Sequence, residues 1–440
     1  MKNLIIYSIL LLVCVLSRML SPLDYSEDLQ SFNLASCIAE GHINRCAGNL
    51  PFVFLANLIY TMVPNLPMTF SVLGGISLFL LIIFVLKMVN APLLSLEGGL
   101  IAILIFFNPL VWIMSNRYSP DLLATALLSG AVYFFLANTS NTGNQYLAWF
   151  TTGLLAGIKP CYLIILIIPA AYAWWKGKNY FSMVFLFAGL GLWIVPVLLW
   201  GNKLADLAGY QFLIDPGWWT HLKEILKDSW ASGLSGYWPG RRLYLIPTSL
   251  ATLVCLFFGA LVLFDYGLDK KKLLSLSLGF CLYLLVLCFS APGSEYNLLL
   301  PLIPFFCILI SYGIIYFIVN FNHLAVKISI LGFLLINICV AIYTAAEHTK
   351  PSALAQTKEY LEQNFSQEPN LLIVTDPQTQ AYLEAAINAS YIRKLSTGTQ
   401  ASKLISIGGP LPGKTVKNQI RFHHDPFINR LSPDVNLYEY

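Results

Sequence analysis

The chain has 440 residues, of which 57% are hydrophobic and 11% charged, with a formal net charge of +4. Soluble proteins carry about 25% charged residues, so an ordinary soluble enzyme is excluded. No basic run interleaves with aromatic residues, which argues against a nucleic-acid-binding protein. Apolar stretches of about 17–25 residues match the bilayer core and predict an α-helical polytopic membrane protein with about eleven spans.

The predicted spans follow one another along most of the chain. They lie near 3–20, 69–89, 94–114, 120–137, 181–200, 244–264, 272–290, 298–319 and 326–345. The first is expected to stay as a span, because Arg18 interrupts its end and no signal-peptidase motif follows. Residues 51–66 are short and bounded by prolines, and 145–175 are broken by Lys159-Pro160. Either 51–66 is re-entrant or interfacial and 145–175 is two short spans, which we prefer, or 51–66 spans and 145–175 crosses once.

The short loops carry the lysines that orient the array. Lysines concentrate at 176–178, 270–272 and 327, which predicts a cytoplasmic N-terminus and cytoplasmic placement of these loops. Residues 1–345 are then the transmembrane domain, and 346–440 are a small extracytoplasmic α/β domain. In this tail, 351–365 and 378–387 have helical periodicity, and 371–374 and 403–407 read as buried strands. We expect an integral membrane protein of the bacterial inner or plasma membrane.

Two of the nine cysteines lie in the first polar loop. Cys37 and Cys46 could pair as a disulfide if that loop faces an oxidising compartment, and two free thiols are the alternative. No Cys-x-x-Cys or His-x-x-x-His spacing predicts a metal site. We expect no cofactor, and a divalent cation at the acids described next is left open.

That loop begins with three closely spaced carboxylates, Asp24, Glu27 and Asp28. On a helix starting at Ser21-Pro22 they would share one face, and they could simply stabilise its N-terminus. The functional interpretation is that one of them is a general base, because a neighbouring acid raises the pKa of its partner toward a useful range. The sequence does not show which of the three carboxylates is the base.

Several segments in order resemble a known family. Glu27-Asp28 is followed by Phe32, Ala35 and Gly41, and later come Asn49-Leu50-Pro51, Ser119-Pro120-Asp121, Gly157-Ile158-Lys159-Pro160 and Tyr296…Pro301…Pro304. The order resembles GT-C membrane glycosyltransferases, such as protein O-mannosyltransferases and lipid A aminoarabinose transferases. The departures are Glu-Asp in place of Asp-Glu, a missing histidine before Pro51, and Glu295 where an arginine is common.

The resemblance implies a hexosyl or pentosyl transferase with a polyprenyl-phosphate sugar donor. The acceptor is a glycan, lipid or protein at the outer face of the membrane. It implies Asp28 or Glu27 as the general base and Asp24 as its support. Lys159, Arg241 and Arg242 are expected to hold the donor phosphate, since a buried lysine needs a partner and the guanidinium fork suits phosphate.

Three further residues are candidate substrate contacts, namely Asp121, Tyr237 and Tyr296. Asp121 could instead pair with Arg117 one helical turn away. Two other functions remain open for the whole chain. One is a lipid or glycan transporter or flippase built around the broken helix at Lys159-Pro160. The other is a membrane scaffold whose tail binds a partner.

Overall fold

A computed structural model describes most of the chain. The described residues are 2–20, 38, 49–137, 141–177, 180–199, 241–265, 270–289, 300–321, 323–368, 370–376, 379–380, 383, 390–392, 403–424 and 434–440. The acidic loop with Cys37 and Cys46, and the segments that contain Tyr237 and Tyr296, lie outside these residues.

The membrane part consists of helices α1–α13, which confirms the predicted helical polytopic fold. Their bounds are α1 Lys2–Met19, α2 Leu50–Met62, α3 Leu66–Met88, α4 Leu96–Phe106, α5 Pro109–Asn116, α6 Asp121–Leu136, α7 Thr142–Ala156, α8 Leu163–Gly177, α9 Val184–Leu199, α10 Arg241–Asp265, α11 Lys270–Phe289, α12 Ile303–Asn320 and α13 Leu324–His348. Short 3₁₀ turns, Pro160–Tyr162 and Tyr180–Met183, precede α8 and α9.

These helices differ in whether they are long enough to cross a bilayer alone. Among the described residues, four helices are long and apolar enough to cross a bilayer alone, namely Leu66–Met88, Pro160–Gly177, Leu300–Asn320 and Leu324–Glu347. In the ambiguous regions, residues 145–175 contribute to two helices, α7 and α8, and residues 51–66 contain the 13-residue α2, about 20 Å long. Which of these helices cross the membrane stays a prediction. The count of eleven crossings, the orientation and the domain boundary at 345 stay predictions.

The predicted span at 94–114 contains a bend. Residues 94–114 form α4 and α5, two helices bent by 56°. The cause is local: the Asn108 side chain accepts hydrogen bonds from the amides of Leu110 and Val111, and Pro109 begins the second helix. Asparagine at the N-cap and proline in the first turn both favour a new helix start.

Close helix contacts in the bundle depend on glycines. A Cβ at Gly313 of α12 would lie 2.1 Å from the carbonyl oxygen of Cys255, and one at Gly259 of α10 would lie 1.9 Å from that of Leu309. Both positions therefore let the α10 and α12 backbones touch. Such contacts are how membrane helices gain packing energy without a hydrophobic driving force.

The tail is the predicted small α/β domain. Helix α14 (Ala353–Phe365) packs on a five-stranded sheet of order β2-β1-β3-β5-β4, whose strands are β1 Leu371–Val374, β2 Ser390–Ile392, β3 Lys403–Ile407, β4 Asn418–His423 and β5 Asp434–Glu439. Strand β1 is parallel to β2 and β3, whereas β5 is antiparallel to β3 and β4. The predicted strands at 371–374 and 403–407 are confirmed. Most of the predicted helix 378–387 lies outside the described residues.

The helix contact at Gly313 gives a stability prediction. Gly313→Ala should lower the free energy of unfolding by about 1–3 kcal/mol, because the added methyl overpacks against the Cys255 carbonyl. Thermal unfolding of the purified protein in detergent measures the change. Gly332→Ala in α13 is the matched control, since nothing lies within 4 Å of a Cβ there. Equal midpoints for the two variants would contradict the packing argument.

Candidate active site

The break between α7 and α8 places a lysine inside the bundle. Helix α7 ends at Ala156, with Gly157 as its C-cap, and Lys159 precedes the 3₁₀ turn that Pro160 opens. Gly157 is needed because its Cα lies against Trp193: a Cβ would come within 2.6 Å of the indole ring. The indole Nε1 of Trp193 donates to the carbonyl oxygen of Gly153, 3.0 Å away, and fixes α9 against this end of α7.

Lys159 pairs with Asp121 at the start of α6. The Nζ atom lies 2.6 Å from Oδ1 of Asp121, and both side chains are only 3% exposed. Ser119 donates its hydroxyl to the other carboxylate oxygen, Oδ2, and the Asp121 amide donates to the Ser119 hydroxyl oxygen at 3.3 Å. Asp121 also lies in the first turn of α6, where the helix dipole favours a negative charge. A buried ion pair with additional hydrogen bonds is the arrangement that tolerates burial of both charges.

Aromatic side chains surround the pair. Tyr162, fully buried, follows Lys159 by one 3₁₀ turn, and its ring meets the buried Tyr283 of α11 edge to face, with centroids 6.1 Å apart. On the side of α3, Tyr118 stacks on Phe70 at 4.3 Å between ring centroids. These rings belong to one apolar core cluster that excludes water from the ion pair. Exclusion of water strengthens electrostatic interactions within the site.

A second buried cation, Arg18, was not identified as a site residue from the sequence. Its side chain is fully buried at the end of α1, and its guanidinium lies 3.6 Å from the ring centroid of Trp112 and 5.0 Å from that of Phe106. Nη2 donates to the Phe106 carbonyl oxygen at 3.4 Å. These contacts hold the end of α1, from which the acidic loop departs, against α4 and α5. The signal in the sequence is an arginine that interrupts an apolar span directly before the three acids.

The structure describes the side chains of only some of the predicted site residues. It brings Asp121 and Lys159 together from separate helices. Arg241 and Arg242 form the first turn of α10, and their side chains lie outside the described part of the chain. Asp24, Glu27 and Asp28, the two loop cysteines, and Tyr237 and Tyr296 also lie outside it. Their roles therefore stay predictions.

The described residues contain no group of three His, Cys, Asp or Glu side chains arranged to hold a metal ion. Divalent-cation binding at the acidic loop stays open, because those acids lie outside the described part. The described site consists of a paired ammonium and carboxylate in an apolar, aromatic surrounding. It can neutralise an anion or orient a polar group.

A helical bundle followed by a small α/β domain is also the fold of a solved structure. The structure is similar over its whole length to a crystal structure of ArnT from Cupriavidus metallidurans bound to undecaprenyl phosphate. The TM-score is 0.56 at 11% sequence identity, covering 99% of this chain and 97% of that one. The apo structure of the same ArnT gives a TM-score of 0.55 at 9% identity, with the same coverage.

Comparison of the sequence alone found no relative. No known protein family matches the chain, and no curated protein does. The likeness to ArnT therefore establishes the fold of this membrane protein, and the chemistry has to be argued from its own residues.

Removal of one partner tests the buried ion pair. Lys159→Met or Asp121→Leu alone should cost about 3–5 kcal/mol of unfolding free energy, because each leaves an unpaired buried charge. The double variant should recover most of this loss. Denaturant unfolding in detergent measures all three variants.

The control for this test is an exposed pair on the tail. Lys358 and Glu362 of α14 lie 4.0 Å apart, with side chains 31% and 43% exposed. Lys358→Met should change stability by at most about 1 kcal/mol. A double variant at 121 and 159 that is as unstable as the sum of the single variants would show that the two charges do not stabilise each other.

Proposed function

We propose that this protein is a glycosyltransferase that moves a hexosyl- or pentosyl-type sugar from a polyprenyl-phosphate carrier to an acceptor at the outer face of the membrane. The observation that carries the proposal is the likeness over the whole chain to ArnT, whose structure was determined with undecaprenyl phosphate bound. The fold alone does not decide the chemistry. The arrangement of charges in this chain provides the further support.

Lys159 is the proposed contact for the donor phosphate. An ammonium group has three N–H donors, so Lys159 can keep its bond to Asp121 and still donate to a phosphate oxygen. Asp121 then acts as a positioning residue: its carboxylate, 2.6 Å away, offsets the cost of burying the lysine charge and fixes the direction of Nζ. The direct substrate contact expected from the sequence for Asp121 stays a separate prediction.

Arg241 and Arg242 are the second proposed phosphate contact. Helix α10 begins at Arg241, so both arginines lie in its first turn. The N-terminus of a helix carries a partial positive charge, which destabilises the charges of the two arginines. The same partial charge stabilises a bound anion. Two arginines at a helix N-terminus are therefore well suited to a bound phosphate, which both the guanidinium groups and the free amides would stabilise.

The carboxylates of the first loop supply the proposed base. The acceptor hydroxyl oxygen attacks the anomeric carbon, and the bond from that carbon to the phosphate oxygen breaks. The phosphate leaves with the electron pair, and Asp28 or Glu27 takes the hydroxyl proton, supported by Asp24. Since phosphate needs charge neutralisation rather than protonation, the cations and the base have separate tasks. Tyr237 and Tyr296 remain proposed sugar contacts.

Sugar transfer by the purified protein tests the proposal. Proteoliposomes that contain a labelled polyprenyl-phosphate sugar and a membrane extract as acceptor should release polyprenyl phosphate and form a labelled product. Asp28→Asn and Glu27→Gln should identify the base, since removing it lowers the turnover rate about 10²–10⁴-fold. Lys159→Met should mainly raise the KM for the donor, provided that the variant folds.

Glu362→Gln is the control, because this acid lies exposed on tail helix α14. Wild-type turnover in both loop variants would remove the acids from the mechanism. Movement of labelled donor across the bilayer without any product would favour the alternative, a lipid transporter or flippase.

A further inference from the structure

A cavity of about 520 Å³ lies between α3, α6, α7, α10, α11 and α12. Ligand pockets commonly enclose about 300–1,000 Å³, so this volume is sufficient for a bound molecule. Its lining is polar where it is exposed, at Lys87 and Asn90, and apolar where it is buried, at Leu263 and Leu276. The cavity therefore has an amphipathic lining.

The cavity lies far from the Asp121–Lys159 pair. Phe70, near the start of α3, stacks on Tyr118, which lies close to Asp121 in the chain. Lys87 is 17 residues further along the same helix, which corresponds to about 26 Å. The cavity is thus a separate feature at the opposite end of the bundle from the candidate active site.

Two lysines line the cavity from different helices. Lys87 lies in the last turn of α3, and its ammonium lies 5.9 Å from the ring centroid of Tyr133 on α6. Lys272 is half-buried in the first turn of α11. Asn90 and Asn144 add amide groups, and none of the described lining residues is a carboxylate. The polar part of the lining is therefore suited to an anion, while the buried leucines are suited to an alkyl chain.

We propose that this cavity binds an anionic phospholipid of the bilayer, with its phosphate at Lys87 and Lys272 and an acyl chain among the buried leucines. Basic pockets between membrane helices bind acidic headgroups in this manner. The lysines lie at the end of the bundle that the charge distribution predicts to be cytoplasmic, where anionic lipids attract cations. This inference does not depend on the proposed glycosyltransferase activity.

Native mass spectrometry of the full chain in detergent tests the proposal, with phosphatidylglycerol and phosphatidylcholine as probes. The wild-type protein should retain phosphatidylglycerol in preference to phosphatidylcholine. Lys87→Gln and Lys272→Gln should each weaken phosphatidylglycerol retention about fivefold, since one lysine near an anionic headgroup contributes about that factor. Both lysines are at least partly exposed, so neither variant should impair folding.

Lys270→Gln is the matched control, because Lys270 belongs to the same basic run without lining the cavity. This variant should retain the lipid as the wild type does. Three results would overturn the proposal: equal retention of the two phospholipids, an equal loss in the Lys270 variant, or displacement of phosphatidylglycerol by polyprenyl phosphate in a manner that requires Lys87 and Lys272. The last result would assign the cavity to the carrier lipid.

Discussion

The buried ion pair of Asp121 and Lys159 is the constraint around which the membrane part is arranged. A lysine well inside a helical bundle costs about 2.5–3.5 kcal/mol on insertion scales and needs an anionic partner. The partner comes from another helix, so the break between α7 and α8 has to face the start of α6. The pair therefore links sequence-distant helices through electrostatics, in a region where apolar packing alone would tolerate many arrangements.

Breaks in the helices place the charges at this site. Pro160 opens a 3₁₀ turn directly after Lys159, and Asn108 with Pro109 divides α4 from α5. Each break interrupts regular backbone hydrogen bonding, which membrane proteins tolerate where other protein groups surround it. The second break leads to Trp112, over which Arg18 is stacked, and then through Tyr118 to Asp121. Both buried cations thus depend on non-helical turns inside an apolar bundle.

The two ends of the bundle have different chemical character. One end holds a dry, paired lysine and the end of α1, with the buried Arg18. The other end exposes Lys87 and leaves an amphipathic cavity open between six helices. The Asp121–Lys159 pair can stabilise a change in charge next to it. Lys87 and Lys272, in contrast, can bind the anionic headgroup of a lipid.

The sequence by itself determined the helical membrane fold, most helix positions and the two strands at 371–374 and 403–407. These follow from local composition, since a run of apolar residues long enough for the bilayer has few other stable states. It was less informative for β4 and β5, whose alternating polar residues resemble loop sequence. The sequence also predicted the break at Lys159-Pro160, because proline disrupts a helix in its immediate neighbourhood.

Only the tertiary structure decided which charges meet. The sequence offered Arg117 as a local partner for Asp121, and the structure adds the distant Lys159. It also showed that Arg18 is buried against Trp112 and that Lys87 and Lys272 line one cavity. Such pairings depend on how helices approach one another, at glycines such as Gly313 and at helix breaks. The contacts are not encoded at any fixed sequence spacing, because helix packing joins residues that are remote in the chain.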